Sequence, residues 1–438
     1  MRVLLAFAGS RGDAQPGVLL GRELARRGHR VILAVSPNLV KFATGQGVSA
    51  EPFGLDSDVL LRTQREDPRF GSLDPFARVR ATLDLQRRGF REAARDLLAL
   101  APDADLLVTG MACEEIAAEV ARARAVPLAA MHFFPILPNR AVPVVPTAWG
   151  RRLPGVVNRR GWQALNRARS WALASEIAAL RAEAGTRTPE RVHRPDPLGP
   201  VDPAAPQRIA VQAYDAELFP GLVDELAGAP VTGFPVVPDA GGTVQSELRE
   251  WLIAGSAPIY VGFGSMPVTD PDALESLTRE VGRRLGRRIL LVGSMFRPRV
   301  GADLAVVEQL DHRTVLPLCA AAVHHGGAGT TAAVLRAGVP SVICSVQADQ
   351  PYWGRQLEAL GLGVTAPFDR IDANRLERLL CRALEPEVVL RASAYGLRFR
   401  EDGVLRAVRV IESMHTRART ALPSSATGGD AAVSRAHS

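Results

Sequence analysis

The residues best suited to chemistry lie at positions 324–331, where His324 and His325 precede a glycine-rich turn and a pair of threonines. Glycine permits positive φ angles and a close approach of the backbone to a ligand, and the turn contains Gly326, Gly327 and Gly329. An apolar strand before the turn and a helix after it would aim free N–H groups and the helix dipole at one point. Either histidine could donate a hydrogen bond to a phosphate oxygen. The stretch therefore predicts a cradle for a diphosphate.

A second polar pair, Asp349 and Gln350, stands at the next strand-to-helix turn. Aspartate accepts hydrogen bonds from hydroxyl groups, and glutamine offers both a donor and an acceptor. Next to a diphosphate cradle, such a pair suits the hydroxyls of a sugar attached to that diphosphate. The alternative is a purely structural role, because aspartate at this position would cap a helix in any case.

Two series of alternating strands and helices must position these residues. The first begins with a buried strand at 2–8 and a helix that starts near Pro16, which is a βαβ pattern typical of a parallel sheet. The second contains strands at 259–263, 321–324 and 341–345. We therefore predict an α/β fold with two tandem, doubly wound, Rossmann-like domains that face each other across a cleft. Ligands of such sheets bind outside the carboxyl ends of the strands.

Composition along the chain predicts the domain limits. The proline- and glycine-rich stretch 235–244 is typical of a linker. We expect an N-terminal domain at 1–234 and a C-terminal domain at 245–395. A helix at 396–418 is expected to pack back on the N-terminal domain, and the Ala/Ser/Gly/Thr-rich tail at 419–438 to be disordered.

Several function classes are disfavoured by composition and motifs. The net charge is +7, but there is no signature of a nucleic-acid-binding module, so nucleic acid is not an expected partner. The first turn, Gly9-Ser10-Arg11-Gly12, lacks the G-x-G-x-x-G fingerprint of NAD-binding folds. The four cysteines are widely separated, which argues against disulfides and zinc. No apolar run is long enough to span a bilayer, and we expect a cytoplasmic protein.

Tryptophans and arginines alternate in the segment 149–171. This mixture can dock on an anionic bilayer surface, so peripheral contact with the inner face of the membrane stays open. The favoured interpretation is an amphipathic helix that packs on its own domain and leaves a basic face in water.

The motifs resemble the family 1 inverting glycosyltransferases of GT-B fold, and most of all the bacterial glycolipid, glycopeptide-antibiotic and sterol glycosyltransferases. The resemblance rests on the 324–331 stretch, on 336–340 (Arg-Ala-Gly-Val-Pro) and on 349–353 (Asp-Gln-Pro-Tyr-Trp). The first turn, 9–16, and the start of the second series, 261–266, also match. These matches occur in the same order and spacing over about residues 1–410.

The resemblance implies a nucleoside-diphosphate sugar, UDP- or dTDP-linked, as co-substrate and neither a cofactor nor a metal. The implied diphosphate contacts are Ser265, His324, Gly326, Gly327, Gly329 and Thr330, with His324 rather than His325 aligned to the family histidine. Leu310 and His312 fall where the nucleobase is held, and Asp349 and Gln350 where the sugar hydroxyls are bound.

The resemblance also assigns the reaction centre. Asp13 aligns with the catalytic base, and Ser10 and Gly12 lie in the loop near the reaction centre. Asp13 would take the proton from an acceptor hydroxyl as its oxygen attacks the anomeric carbon, so that the configuration inverts. A helix N-cap is the structural alternative for Asp13. His132, Phe133 and Phe134 resemble a segment of enzymes that glycosylate cell-envelope lipids, and are therefore expected at the acceptor pocket.

Two positions depart from the plant members of the family. No acidic residue aligns near Thr109, where these members carry a partner for a catalytic histidine; a carboxylate base needs no such partner. The glutamate that holds the ribose falls on Ala332, so the choice between uridine and thymidine stays open.

The expected acceptor is a hydrophobic small molecule or lipid, because the irregular segments 56–90 and 133–170 are rich in apolar side chains. Two alternatives remain at this point: a nucleotide-sugar epimerase, which would need a second acid or base at the sugar, and a non-catalytic homologue that binds and activates a partner enzyme.

Overall fold

The computed structural model describes residues 1–71, 75–147, 149–185, 207–226, 228–236, 245–264, 266, 268 and 270–421. The chain forms two parallel-stranded sheets, each with helices on both faces. The predicted pair of doubly wound α/β units is therefore confirmed.

The first sheet has six parallel strands in the order β3-β2-β1-β4-β5-β6. Its strands are β1 Arg2–Phe7, β2 Arg30–Val35, β3 Ala50–Pro52, β4 Leu106–Gly110, β5 Leu128–His132 and β6 Arg208–Gln212. Its helices are α1 Arg11–Arg26, α2 Val40–Gly45, α3 Ser57–Glu66, α4 Pro75–Leu100, α5 Glu114–Arg124, α6 Gly155–Ala172, α7 Ala174–Glu183 and α8 Leu222–Glu225.

The second sheet has seven strands in the order β13-β12-β11-β7-β8-β10-β9, and β9 is antiparallel to β10. Its strands are β7 Ile259–Gly262, β8 Ile289–Val292, β9 Arg299–Val300, β10 Leu304–Val307, β11 Ala321–His324, β12 Ser341–Ser345 and β13 Gly363–Pro367. The remaining helices are α9 Ser246–Ile253, α10 Pro271–Leu285, α11 His312–Val315, α12 Ala328–Arg336, α13 Gln350–Leu360, α14 Ala373–Ala383, α15 Pro386–Gly396 and α16 Gly403–Ala421.

The short stretch 231–234, just before the linker, does not form a strand. Val231 makes only an isolated bridge to Gln212. Gly233 has a φ of +88°, which is incompatible with an extended strand, and Pro230 and Pro235 on either side lack the N–H group that a sheet needs. Short edge strands such as β3, by contrast, were too brief to stand out in the sequence.

One apolar cluster joins the two sheets. It contains Phe134 and Phe219 from the first half of the chain and Ile343 and Trp353 from the second. Trp353 has no exposed surface, and its ring centroid lies 5.8 Å from that of Phe134 and 5.5 Å from that of Phe219. The Tyr352 hydroxyl donates to the Val144 carbonyl at 2.6 Å across the same boundary. This shared core fixes how the two sheets face each other.

The C-terminal helix α16 packs on the first sheet rather than the second. Its apolar residues join the core around β1 and α1, and Glu412 pairs with Arg27 at 2.8 Å and with His29 at 3.0 Å. Most of the linker, 237–244, and nearly all of the tail predicted to be disordered, 422–438, lie outside the described residues, so the domain limits stay a prediction.

Replacing Ile411 of α16 with alanine should destabilise the protein measurably. Ile411 is fully buried, and removing a buried isoleucine side chain to Cβ costs about 2–5 kcal/mol. The urea midpoint of unfolding, followed by far-ultraviolet circular dichroism, should fall. The matched control is Ile253→Ala, because Ile253 is 62% exposed. Equal shifts for the two variants would contradict the assignment of α16 to the core.

Candidate active site

Asp13 lies in the first turn of α1, beyond the carboxyl end of β1. Its Oδ2 accepts hydrogen bonds from the backbone N–H and the hydroxyl of Ser10, each at 2.8 Å. Solvent reaches the side chain, yet the surrounding protein removes part of its hydration. This desolvation raises the pKa of the carboxyl group, and the Ser10 hydrogen bonds oppose it. A carboxylate with one oxygen held in place and an increased proton affinity is suited to act as a base.

The backbone before Asp13 is shaped around its carboxylate. Gly9 has a φ of +126°, and a Cβ atom at this position would lie 2.5 Å from Asp13 Oδ2. The buried hydroxyl of Ser36 accepts from the Gly9 N–H at 3.0 Å and donates to the Gly9 carbonyl at 3.2 Å. Glycine is therefore required at position 9, and Ser10 and Gly12 lie in the same held turn.

The glycine-rich turn connects β11 to α12 as the sequence predicts. Gly326 has a φ of +91°, and a Cβ atom there would lie 2.7 Å from Ile343 Cγ2. Gly327 is the residue before the first helical position, Gly329 is exposed with open space at its Cβ position, and Thr330 is half-buried in the first turn. The first N–H groups of a helix have no intrahelical partner, so this end of α12 can receive an anion. Ser265, the other predicted phosphate contact, lies outside the described residues.

The choice of His324 as the phosphate-facing histidine is contradicted. His324 has no exposed surface; its Nδ1 accepts from the Gly326 N–H at 3.2 Å, and its Nε2 lies 3.3 Å from the Ser341 hydroxyl. Burial lowers its pKa to about 3, so the ring is neutral. Both ring nitrogens thus hold the turn and the neighbouring strand together, and neither reaches the cleft.

Of the two histidines, His325 is the one that is partly exposed at the turn. Its side chain is half-buried and lies between two glycine turns, because a Cβ atom at Gly264 or at Gly327 would come within 3.2 Å or 2.5 Å of the ring. Its Nδ1 is buried without a hydrogen-bond partner among the described residues. Burial lowers the pKa of His325 to about 4, so the imidazole is a neutral hydrogen-bonding group at the cradle.

Asp349 and Gln350 lie where β12 leads into α13. Asp349 Oδ2 accepts from the Trp353 indole N–H at 3.0 Å, which ties this carboxylate to the core between the sheets. Burial raises its pKa to about 6, and the negative charge of Asp13 contributes in the same direction. Gln350 Oε1 accepts from the N–H groups of Val346 and Gln347 at 2.8 and 3.2 Å, so this side chain also shapes the loop. The loop is strained, since Ala348 has a φ of +56°.

The two predicted nucleobase contacts lie together at the start of α11. Leu310 packs partly buried on the apolar cluster beside β7 and β8. The His312 Nε2 is 2.9 Å from the hydroxyl of buried Tyr260, and the two rings meet edge to face with centroids 5.6 Å apart. Burial, assisted by the nearby charges of Arg336 and Arg11, lowers the pKa of His312 to about 4. The geometry places the apolar side chain of Leu310 beside a neutral imidazole ring; contact with a base stays a prediction.

Arg11 is a residue that the sequence did not single out. Its guanidinium lies over the Phe42 ring, 4.7 Å from the centroid, and donates to Gln309 Oε1 at 3.2 Å. This hydrogen bond crosses from the turn that carries Asp13 to the loop beside His312. In the sequence, only its position between Ser10 and Gly12 pointed to the site. The contact itself could not be predicted, because Gln309 lies 298 residues away in the chain.

Two of the three residues predicted at the acceptor pocket lie elsewhere. His132 is buried between Glu114 Oε2, at 3.2 Å from its Nε2, and the Gln212 amide, at 3.4 Å from its Nδ1. Phe134 belongs to the core between the sheets. Only Phe133 is half-exposed, next to Phe7 at the carboxyl ends of β1 and β5. Alternation of side chains along a strand explains why the three residues separate.

Among the described residues, no group of three His, Cys, Asp or Glu side chains could hold a metal ion. Independence of a metal stays a prediction. What the structure brings together is a carboxylate from the first sheet, a second carboxylate from the other sheet, and a helix N-terminus with a neutral histidine beside it.

One family model and several known proteins match the chain. Residues 298–404 match the family model described as "Erythromycin biosynthesis protein CIII-like, C-terminal domain". The chain is 34% identical over 436 residues to the uncharacterized glycosyltransferase Rv1524 of Mycobacterium tuberculosis, covering 96% of this chain and all of that protein. It is 29% identical over 442 residues to the glycosyltransferase GtfC of Amycolatopsis orientalis, again covering 96% of this chain and all of that protein.

Solved structures share the fold at lower identity. The glycosyltransferase VinC, solved in complex with dTDP, superposes with a TM-score of 0.65 at 20% sequence identity, covering 95% of this chain and all of VinC. The identity over nearly the full length to Rv1524 and the shared two-sheet architecture lead to one conclusion: the chain belongs to the nucleotide-sugar glycosyltransferases of GT-B fold.

Proposed function

We propose that this glycosyltransferase moves a sugar from UDP or dTDP to a hydroxyl group of a hydrophobic acceptor, with inversion at the anomeric carbon. The observation that carries the proposal is a pair of held carboxylates, Asp13 in the first turn of α1 and Asp349 at the start of α13, that interact electrostatically. Asp13 is held by Ser10 and Asp349 by Trp353, and the charge of Asp13 contributes to the raised pKa of Asp349. A sugar bound between them would have a base near its reacting carbon and an acceptor for its hydroxyls.

In this mechanism Asp13 acts as the general base. The acceptor O–H bond breaks as its proton passes to the carboxylate, and the oxygen forms a bond to the anomeric carbon. The bond from that carbon to the diphosphate breaks on the opposite side, and the nucleoside diphosphate leaves with the electron pair. General-base assistance is worth about 10²–10⁴ in rate. Desolvation, which raises the pKa of Asp13, favours proton uptake at this step.

The leaving diphosphate would be stabilised by the end of α12. The His325 ring lies beside Gly327, the residue before the first helical position. The positive end of the helix dipole, the N–H groups at Gly327 and Gly329 and this ring would therefore act on the same diphosphate. Preorganised donors of this kind stabilise developing negative charge without reorganisation. We therefore assign to the protein itself the charge stabilisation that other transferases obtain from a metal.

The apolar side of the cleft supports a hydrophobic acceptor. Phe133 stands half-exposed beside Phe7, and its ring edge would lie 3.6 Å from a Cβ atom at Gly110. This places an aromatic surface at the carboxyl end of the first sheet, on the same edge as Asp13. An aromatic wall suits an apolar aglycone better than a free sugar.

Asp13→Asn should lower kcat by about 10²–10⁴ with little change in the KM for the donor, because the amide keeps the shape but cannot accept the proton. Release of UDP or dTDP in the presence of an acceptor mixture measures the rate. Asp270→Asn is the matched control, since Asp270 also caps a helix through its side chain, at 2.9 Å from the Ala273 N–H. If Asp13→Asn turned over like that control, Asp13 would be a cap only.

Asp349→Asn should weaken binding of the intact nucleotide sugar about tenfold to a hundredfold, because a hydrogen bond to a charged group is worth about 1.5–3 kcal/mol. Binding of UDP or dTDP alone should not change. Because the pKa of Asp349 is about 6, the affinity of the wild type for the sugar nucleotide should fall as the pH drops below about 6. The variant should lack this dependence, and calorimetric titrations over about pH 5–8, on either side of that pKa, measure both affinities.

Thermal stability is the control measurement for Asp349→Asn. The pKa of Asp349 is raised from 3.8 to about 6 in the folded protein, so the carboxyl group favours the folded state below pH 3.8 and loses that contribution as the pH rises through 6. At neutral pH the wild type carries the cost of the buried charge. Asp349→Asn should therefore melt no lower than the wild type at neutral pH, and a marked fall would mean that lost binding reflects unfolding.

His325→Ala should weaken UDP and dTDP binding about tenfold or more, since it removes a hydrogen bond to a charged diphosphate. Uridine and thymidine, which lack phosphates, should bind equally to both proteins. His325→Gln, which keeps a donor, is the matched variant and should recover part of the affinity. An equal loss for nucleosides and diphosphates would refute the placement of His325 at the phosphates.

A further inference from the structure

One face of α6 exposes large apolar side chains and arginines together. The face consists of Val156, Val157, Arg160, Arg167 and Trp171, which follow one another at helical spacing. Trp171 is 80% exposed, and Trp149, in the turn just before the helix, is 64% exposed. We call these residues, with Trp149, the Trp–Arg face.

The packing of α6 on its own domain does not use this face. The opposite side of the helix buries Asn158, Trp162 and Ala172, and the Trp162 indole N–H donates to the Val142 carbonyl at 2.9 Å. A helix that needed only to pack would have polar residues on its outer side. The sequence favoured a helix with a wet basic face, and the two exposed tryptophans depart from that expectation.

The segment of sequence that contains the Trp–Arg face carries charge of a single sign. No aspartate or glutamate occurs between Glu119 and Glu176, although the chain contains 46 acidic residues in all. Five arginines in this stretch are exposed on or beside α6: Arg151, Arg152, Arg159, Arg160 and Arg167. The matching partner is therefore an anionic surface.

The basic surface continues beyond the end of α6. Arg87 of α4 donates to the carbonyl of Ala172, the neighbour of Trp171, at 3.1 and 3.2 Å. The same arginine lines an open cavity of about 480 Å³ on α4, with walls of Asp84, Arg87, Arg88, Arg91, Glu92 and Arg95. Anionic groups that meet Trp171 would thus have further guanidinium groups within the same surface.

We propose that the Trp–Arg face docks on the surface of an anionic lipid bilayer. Trp149 and Trp171 lie at the level of the headgroups, where the amphipathic indole ring is favoured, and the arginines contact lipid phosphates. No helix among the described residues is long and apolar enough to cross a bilayer. The contact is interfacial, in the manner of a helix that lies in the plane of the membrane surface.

The inner side of α6 connects this face to the cleft. Arg169 donates to the Met111 carbonyl at 3.0 Å, directly after the end of β4, and the Trp162 ring lies 5.7 Å from that of Tyr352. Docking would therefore place the acceptor side of the cleft close to the bilayer. Only the placement of the acceptor side rests on the proposed function, because binding of the chain to lipid does not require sugar transfer.

The test is sedimentation of the full chain with vesicles of phosphatidylcholine, with and without phosphatidylglycerol. We expect binding to the anionic vesicles only, weakened by added salt. Trp149→Ser with Trp171→Ser, and separately Arg160→Glu with Arg167→Glu, should each reduce the bound fraction several-fold. The matched controls are Leu390→Ser with Leu397→Ser, which are 69% and 88% exposed, and Arg249→Glu with Arg378→Glu on exposed positions of α9 and α14.

Fluorescence gives an independent readout. Of the five tryptophans, Trp162, Trp251 and Trp353 are buried, and Trp149 and Trp171 are exposed. Anionic vesicles should shift the emission of the wild type to shorter wavelength, and the double serine variant should lose that shift. UDP and dTDP affinity should be the same in all variants, so that a failure of this proposal is distinct from a failure of the proposed transfer.

Three outcomes would overturn the proposal. One is the absence of binding to anionic vesicles. Another is an equal loss of binding in the control variants. The third is a dimer of the wild type that becomes a monomer in the double serine variant without any vesicle binding, which would make the face an interface between two copies of the chain.

Discussion

The structure depends on the burial of Trp353 between the two sheets. Its ring contacts Phe134 and Phe219 from the first half of the chain and has no exposed surface; truncating a buried aromatic residue of this size costs about 3–5 kcal/mol. The same indole donates to Asp349. The side chain that packs between the two sheets therefore also orients the carboxylate of Asp349. A change in the packing of the two units would move this carboxylate.

Electrostatics explains why the cleft is arranged around two acids and neutral histidines. Asp13 and Asp349 each lose hydration, and each carboxylate would be relieved by hydroxyl donors from a ligand. His312 and His325 have lowered pKa values, of about 4 in each case, so they add no positive charge at neutral pH. In the proposed function, attraction for a diphosphate then comes from the N-terminus of α12, whose dipole does not depend on pH.

Features that depend on the order of neighbouring residues could be predicted from the sequence. The direction in which a side chain points could not. The doubly wound sheets, the turn at Gly326 and the polar turn at Asp13 follow from periodicity and glycine placement. The choice between His324 and His325 failed because the strand ends at His324, whose side chain turns inward to Ser341. His132 and Phe134 were misplaced for the same reason: a run of residues at a strand end alternates in direction, and only one of them faces the cleft. Contacts such as Arg11 to Gln309 have no local signal at all.

Helix α6 links the aromatic core and the end of β4 to the outer surface of the protein. One side of it supports the aromatic core through Trp162, and Arg169 binds the backbone beside the end of β4. The outer side of the helix and the turn before it keep Trp149, Trp171 and five arginines exposed, and exposed apolar surface of this size marks an interaction site. The hydrophobic acceptor that we propose would be concentrated in a bilayer, so docking through this surface would hold the cleft next to its substrate.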